Sequence, residues 1–533
     1  MRDVVTARLV SFSPHVSQCM RTSVLSSFQS SSCSRTEAVV ASFLARRADR
    51  AQAQAEGMPL PADIRRIMTR EEAMALGQFV HDVCEQPSYG LHLWHRATAV
   101  TLRDSDTAPR CIDVDALALQ WLVKLGTNDR FYGMVWVETN VRDPETLRHV
   151  LLHAVKPVPE PPLSDEELGE RRTWDKLYEP HNYTYLPSTT WHATTAAASE
   201  AQRGAMLARL SAPLAGTAWR GAGTVAVSEV GVCAFNDVMH VTQWGEATDS
   251  EISLSVHSED GATSGWSGHA HRDWDKLEPE RVAHEAVAAA TQQLQASRLE
   301  PGRYTTILSA TAVGQVLQQM AEFFNAEYGG PFSYPGQALS ARDKRGQQLF
   351  DARITLTTDP TDPEGGDFPF FPDGVPYPSG HVTWVERGVL KRRSISVGRG
   401  LQYGMTPLRD PDCIRMSGGP TSIEAMIANC ERGIYVHRLS AINTVDPMSG
   451  TMEGFTRDGC LLIKDGKITH PVKDFRFRES PVLAFNRVLA LGTPRRIAFG
   501  FTPRTGATWP HAPVIAPPMM VRDFNFTALA DNA

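Results

Sequence analysis

The stretch Leu299–Pro331, LEPGRYTTILSATAVGQVLQQMAEFFNAEYGGP, decides the fold of this chain, because it reads as a strand leading directly into a helix. Pro301 and Gly302 open it, and Tyr304–Leu308 are mostly β-branched, aromatic or aliphatic, the composition of a buried strand. Ser309 stands where an N-cap hydroxyl accepts a hydrogen bond from the first helical turn. Ala312, Val313, Val316, Leu317, Met320, Phe323 and Phe324 then recur at helical spacing and give the helix one apolar face. Gly329, Gly330 and Pro331 end it.

Around this stretch, 533 residues leave room for two to four domains with sizeable cores. A hydrophobic content of 42% and a charged content of 21% are those of a globular protein. The net charge of −7 argues against sequence-independent nucleic-acid binding, which needs a basic surface. No run of eighteen apolar residues occurs, so no membrane-spanning helix is expected. The eight cysteines are scattered without a Cys-x-x-Cys pair, which suits inert thiols in a reducing cytoplasm. Residues 1–35 are Ser- and Arg-rich and read as a disordered extension, with a transit peptide or an overlong start as alternatives.

Residues 36–155 read as an N-terminal α/β domain: helices at Thr36–Ala55, Arg70–Cys84, Asp113–Leu125 and Pro144–Val155 alternate with strands at Tyr89–Leu102 and Phe131–Val137. The Pro-rich Lys156–Asp165 begins a linker and helical connection over 156–220, with a helix at Ala196–Leu214. A strand region over 221–300 follows, from Gly223–Phe235, His240–Trp244 and Glu251–Val256, and 301–533 forms the C-terminal domain. The expected fold class is α+β, with a large, mostly antiparallel C-terminal part.

Three histidine groups invite a metal reading. His92 and His95 flank Trp94 on a strand, so alternation sends them to opposite faces and both read as structural. His269 and His271 would share a face on a strand, but the surrounding Gly- and Ser-rich stretch reads as a loop. His284-Glu285 begins a zincin-like pattern, yet Ala288 stands where the second histidine of His-Glu-x-x-His belongs, so both read as surface residues of an Ala-rich helix.

The C-terminal half adds turn chemistry in a fixed order. Asp359-Pro360, Asp373-Gly374-Val375-Pro376 and Glu386-Arg387-Gly388-Val389-Leu390 are tight turns between strands. Ser422–Asn429 reads as a short helix and Gly433–Val436 as a strand. Lys464-Asp465-Gly466-Lys467 is a hairpin turn between two apolar runs, and Val514–Phe526 is a closing strand. In this order, and with the Leu299–Pro331 strand and helix before them, these pieces resemble the TldD/PmbA (TldD/TldE) family, convincingly from about Gly221 to Thr527.

In TldD-type members the helix carries His-Glu-x-x-x-His, with zinc-binding histidines and a water-activating glutamate. The resemblance sets Gln318, Gln319 and Phe323 at those places. Neither an amide nor a phenyl supplies an imidazole, thiolate or carboxylate for zinc, and an amide is no base at neutral pH. A cysteine expected as third ligand is also missing from Phe501–Trp509. The resemblance therefore implies a PmbA/TldE-like chain with no catalytic residue, metal or cofactor of its own. It would be inert alone and active in a cytoplasmic heterodimer with a zinc-bearing TldD-like subunit, which cleaves unfolded peptides or processes a peptide precursor. Two other readings stand beside it: a stand-alone hydrolase with a relocated metal site at His269, His271, His284 or Glu285, and a non-enzymatic peptide-binding scaffold. No basic motif or nucleic-acid module is visible.

Overall fold

The structure is a computed structural model that describes residues 5–10, 17–22, 35–55, 67–84, 88–104, 107–124, 132–139, 141–154, 190–236, 241–327, 330–333, 344–366, 381–395, 400, 403, 405, 407–411, 413–500 and 513–530. Its first sheet joins β1 (Val5–Val10), β2 (Ser17–Thr22), β3 (Ser88–Asp104), β4 (Arg110–Lys124), β5 (Tyr132–Thr139), β6 (Arg220–Asn236), β7 (Val241–His257) and β8 (Ser264–His271). The order is β2-β1-β5-β4-β3-β6-β7-β8, antiparallel throughout.

One face of this sheet is covered by helices, because alternate residues of each strand are apolar there. Helices α1 (Arg35–Ala55), α2 (Arg70–Cys84) and α3 (Pro144–Ala154) set Phe43, Phe79 and Leu151 against Leu91, Leu93, Leu117 and Leu119. Farther along, beyond the short α4 (Ala193–Ala196), α5 (Glu200–Ser211) and α6 (Pro279–Gln292) set Leu207, Leu210, Val282 and Ala286 against Val225, Val227, Ile252 and Leu254.

The C-terminal part begins with β9 (Gly302–Leu308) and α7 (Ala310–Met320), the strand and helix expected there, with Ser309 Oγ accepting from Ala312 N at 3.2 Å. Two further sheets embrace them. The second comprises β10 (Leu356–Thr358), β11 (Val382–Glu386), β12 (Val389–Leu390), β13 (Ile414–Met416), β19 (Arg495–Arg496) and β20 (Val514–Ala516), ordered β12-β11-β10-β13-β20-β19. The third comprises β9 with β14 (Arg432–Asp446), β15 (Thr451–Lys464), β16 (Lys467–Val472), β17 (Phe475–Glu479), β18 (Val488–Leu491) and β21 (Met519–Leu529), accompanied by the short α8 (Ile423–Ala428) and α9 (Pro481–Ala484). Because β14 also pairs with β15, the path β14-β9-β21-β17-β15 closes on itself. Phe475, Phe477, Phe524 and Phe526 contact one another there, with ring centroids 4.9 Å apart for Phe475 and Phe526. Helix α7 lies between β14 and β20 and so joins the two sheets into one core.

Several expectations need correction. Of the expected helix Asp113–Leu125, the described part Asp113–Lys124 lies in strand β4: it pairs on both sides, and both of its faces are apolar, which hides the period of two. Val5–Val10 and Ser17–Thr22, within the segment 1–35 expected as a disordered extension, pair antiparallel as β1 and β2. Gly268-His269-Ala270-His271 is strand, not loop. Its glycines serve close approach: a Cβ on Gly265 would lie 2.2 Å from Ala290 N, and one on Gly268 would lie 2.8 Å from the Trp266 ring. Phe323 and Phe324 leave the α-helix for a 3-10 turn, Ala321–Phe324. Finally, β6 pairs with β3 across the stretch 156–220, so residues of the expected 36–155 and 221–300 share one sheet, whose antiparallel order is α+β rather than α/β.

The expected turns Arg387-Gly388 and Asp465-Gly466 both adopt positive φ, as two-residue hairpin loops require. The expected Asp373–Pro376 and Phe501–Trp509 fall outside the described residues.

Candidate functional site

Helix α7 is positioned from both sides. A Cβ on Gly314 would meet Ile497 Cγ1 at 2.5 Å, so the helix touches the chain that follows β19. On another side, Gln315 Oε1 accepts from Leu439 N at 2.8 Å and ties the helix to β14. Residues four apart share a helix face. Gln318 therefore continues the Gly314 side, Gln319 continues the Gln315 side, and both are half-buried. Phe323 turns inward: it is buried, lies edge-on to Phe332 at 6.2 Å, and would be 2.9 Å from a Cβ on Gly450. Two amides and a core phenyl at these places do not fit a zinc ion.

The other candidates are engaged in local structure. His269 Nδ1 accepts from Glu278 N at 3.2 Å and His271 Nδ1 from Asp273 N at 2.9 Å. Burial, reinforced by Arg281, pushes His269 down to about 4; burial and Arg496 lower His271 as well. His284 is exposed on α6, as expected. Glu285 is less exposed than expected, taking the Ser267 hydroxyl at 2.7 Å and Arg281 at 2.9 Å. Burial would raise its carboxyl, but those partners hold it below the ordinary value. His95 accepts from Met68 N at 2.8 Å and lies 3.1 Å from Asp115, which Arg47 also pairs; the His92 side chain is outside the described residues. Among the described residues no three His, Cys, Asp or Glu side chains are grouped to hold a metal.

Pattern reading missed a charged seam where β7 and β8 meet the C-terminal sheets. The end of β19 and the chain after it run through it with alternating sides: Arg496 Nη2 reaches Asp249 at 2.5 Å, Ile497 meets α7, and Ala498 packs on Trp266 and Ala270. Beside them Glu251 accepts from Phe499 N at 3.4 Å, while its Oε1 is buried without a hydrogen-bond partner. Burial, then the nearby Asp249, pushes this carboxyl up to about 7. Farther along the seam Arg438 stacks 4.5 Å from the Trp266 ring and pairs with Asp458, which accepts from Ser264 Oγ at 2.8 Å. Asp474 is raised by burial to about 6 and accepts from Thr456 Oγ1 at 2.7 Å. Isolated acids and arginines on ordinary strands gave no sequence signal for this assembly; only the pairing of distant strands makes it.

A separate recess of about 280 Å³ sits over the Asp359-Pro360 turn, among Thr358, Asp359, Asp362, His381, Cys413 and Arg415. Its charges are largely matched internally, with Arg415 on Asp362 at 2.6 Å.

With this geometry in place, the relatives can be compared. Residues 301–528 match the family described as the PmbA/TldA metallopeptidase C-terminal domain. The solved structure of a candidate modulator of DNA gyrase from Bacteroides thetaiotaomicron has a TM-score of 0.68 at 16% identity, covering 86% of this chain and 100% of the other. A candidate gyrase modulator from Thermotoga maritima scores 0.67 at 14% identity, covering 85% and 100%. TldE from Thermococcus kodakarensis scores 0.64 at 15% identity, covering 85% and 99%. No protein of curated function matches the chain in sequence. The fold is thus that of the metallopeptidase-related TldD/PmbA proteins. Residues 301–528 match that family as its C-terminal domain, which opens at the strand and helix described above.

Proposed function

We propose that this chain is a non-catalytic, TldE/PmbA-like subunit that pairs with a zinc-bearing TldD-like chain in a heterodimeric peptidase, acting on unfolded peptides or a peptide precursor. The observation that carries the reading is the composition of α7 and the 3-10 turn after it: Gln318 and Gln319 half-exposed and Phe323 locked in the core, where the family resemblance sets the metal motif. Strand addition to an exposed edge is the recognition mode that suits a sequence-tolerant peptide site. A cytoplasmic setting is supported by the free thiols of Cys111, Cys233, Cys430 and Cys460 among the described residues. No described helix is long and apolar enough to cross a membrane.

The test is zinc content after dialysis against a chelator, together with peptide cleavage with and without a co-expressed TldD-like chain. No retained zinc, and cleavage only with the partner, is the expected result. One zinc retained per chain, or cleavage by this chain alone, overturns the proposal.

A further inference from the structure

Residues 496–500 form a strap between the first sheet and α7, and the two ends of this strap are held differently. At its start, Arg496 Nη1 donates to Glu364 O at 2.9 Å while Nη2 pairs with Asp249. Ile497 N donates to Val514 O at 2.9 Å, and its side chain fills the space beside Gly314 of α7. At its far end, where Gly500 has a φ of +77°, the N–H groups of Phe499 and Gly500 are both given to one carboxyl, that of Glu251, at 3.4 Å for Phe499.

The surroundings of that carboxyl disfavour its charge. Alternation along β7 puts Asp249 on the same face as Glu251, and directly across stand Ala226 of β6 and Ala270 of β8. The nearby cations are committed elsewhere: Arg496 lies on Asp249, and Arg272, just past β8, donates to the Thr248 and Gly366 carbonyls. His269 and His271 alternate to the other face of β8, where Arg495 acts on His269. Glu251 Oε1 is buried without a hydrogen-bond partner. A negative charge here would face Asp249 with no cation of its own, and water can reach it only if the strap moves aside.

We propose that Glu251 and the strap form a proton-controlled latch: the strap is closed on the first sheet while this carboxyl is neutral, and its far end is released when the carboxyl ionises and takes up water. The direction follows from linkage. Burial, then Asp249, pushes the carboxyl up to about 7 in the closed state, and release returns it toward the ordinary 4.5. The closed state therefore holds the proton more tightly, so the released fraction grows as pH rises from 4.5 through about 7 and levels off above. Because Ile497 of the same strap packs on α7, the latch sets how firmly that helix is bordered near neutral pH. It does not depend on the proposed subunit role.

The experiment is amide hydrogen exchange of the full chain at pH 5 and pH 8, each rate divided by that of an unstructured peptide of the same sequence, with β9 (Gly302–Leu308) as internal reference. Protection of Phe499 and Gly500 should fall at least about tenfold from pH 5 to pH 8 in wild type, while β9 keeps its own. Glu251→Gln, which stays neutral, should abolish that fall. Asp249→Asn removes the repelling charge and frees Arg496 to pair with an ionised Glu251, so it should preserve protection at pH 8 and decides the matter if Glu251→Gln folds poorly. Protection of the strap that is the same at both pH values in wild type, a fall of equal size in the variants, or a fall shared by β9, overturns the latch.

Discussion

Two polar regions flank the segment Arg495–Gly500, and they are built on opposite principles. On one side α7 offers Gln318 and Gln319, uncharged amides at a half-open helix face. On the other, β7, β14 and β15 bring Asp249, Glu251, Arg438 and Asp458 together largely shielded from solvent. Helix α7 carries no titratable side chain, whereas the seam holds carboxyls displaced toward neutral pH. Among the described residues these displaced carboxyls lie where the sheets are joined and not on α7, and this locates their pH response.

The contrast can be broken most severely at Arg438. Arg438→Ala leaves Asp458 charged and unpaired in the seam and removes the cation from the Trp266 ring, for an expected loss of about 3–5 kcal/mol. The midpoint of urea unfolding reads it; a loss below about 1 kcal/mol would mean that the seam carries little of the stability.

Glu251 gives the next largest effect, with a definite sign. Its carboxyl moves from an ordinary 4.5 to about 7, so the native state holds the proton more tightly than the unfolded chain does. Its contribution is therefore most favourable below pH 4.5 and is lost as pH rises through about 7. Glu251→Gln removes that penalty and should stabilise the chain by about 2–3 kcal/mol at pH 8, and by less than about 1 kcal/mol at pH 5. Unfolding curves at the two pH values that shift equally would remove Glu251 from the pH response.

Gly314→Ala tests how tightly the two regions are held against each other. The added methyl would meet Ile497 at 2.5 Å, and overpacking of this kind costs about 1–3 kcal/mol. A thermal midpoint equal to wild type would show that Ile497 yields freely.

The smallest effect is expected at Gln318→Ala and Gln319→Ala, each within about 0.5 kcal/mol of wild type in urea unfolding. A larger loss would show that these amides hold structure, and would weaken the contrast with the seam.

How legible all this was depended on the range of the interactions. The boundaries of α2, the strand before α7, the Ser309 cap and the Asp465-Gly466 turn follow from neighbours in the chain, and the structure agrees with each. Strand β4 was misread because it is apolar on both faces, and β8 because its glycines accommodate Ala290 and Trp266 rather than turns. Within the candidate site, the residue types at 318, 319 and 323 were readable, but the burial of Phe323 against Phe332 and Gly450 was not.

By itself the sequence determined the α+β class, the strand-to-helix element at Leu299–Pro331 and the two amides and phenyl at Gln318, Gln319 and Phe323, because propensity, capping and side-chain chemistry are properties of single residues and near neighbours. Only the tertiary structure decided that β3 and β6 share a sheet, that β14 and β15 close a ring, and that Glu251 meets Phe499 across 248 positions of chain. Burial sets the proton affinity of a carboxyl, and burial is conferred by whichever distant strands come to lie over it.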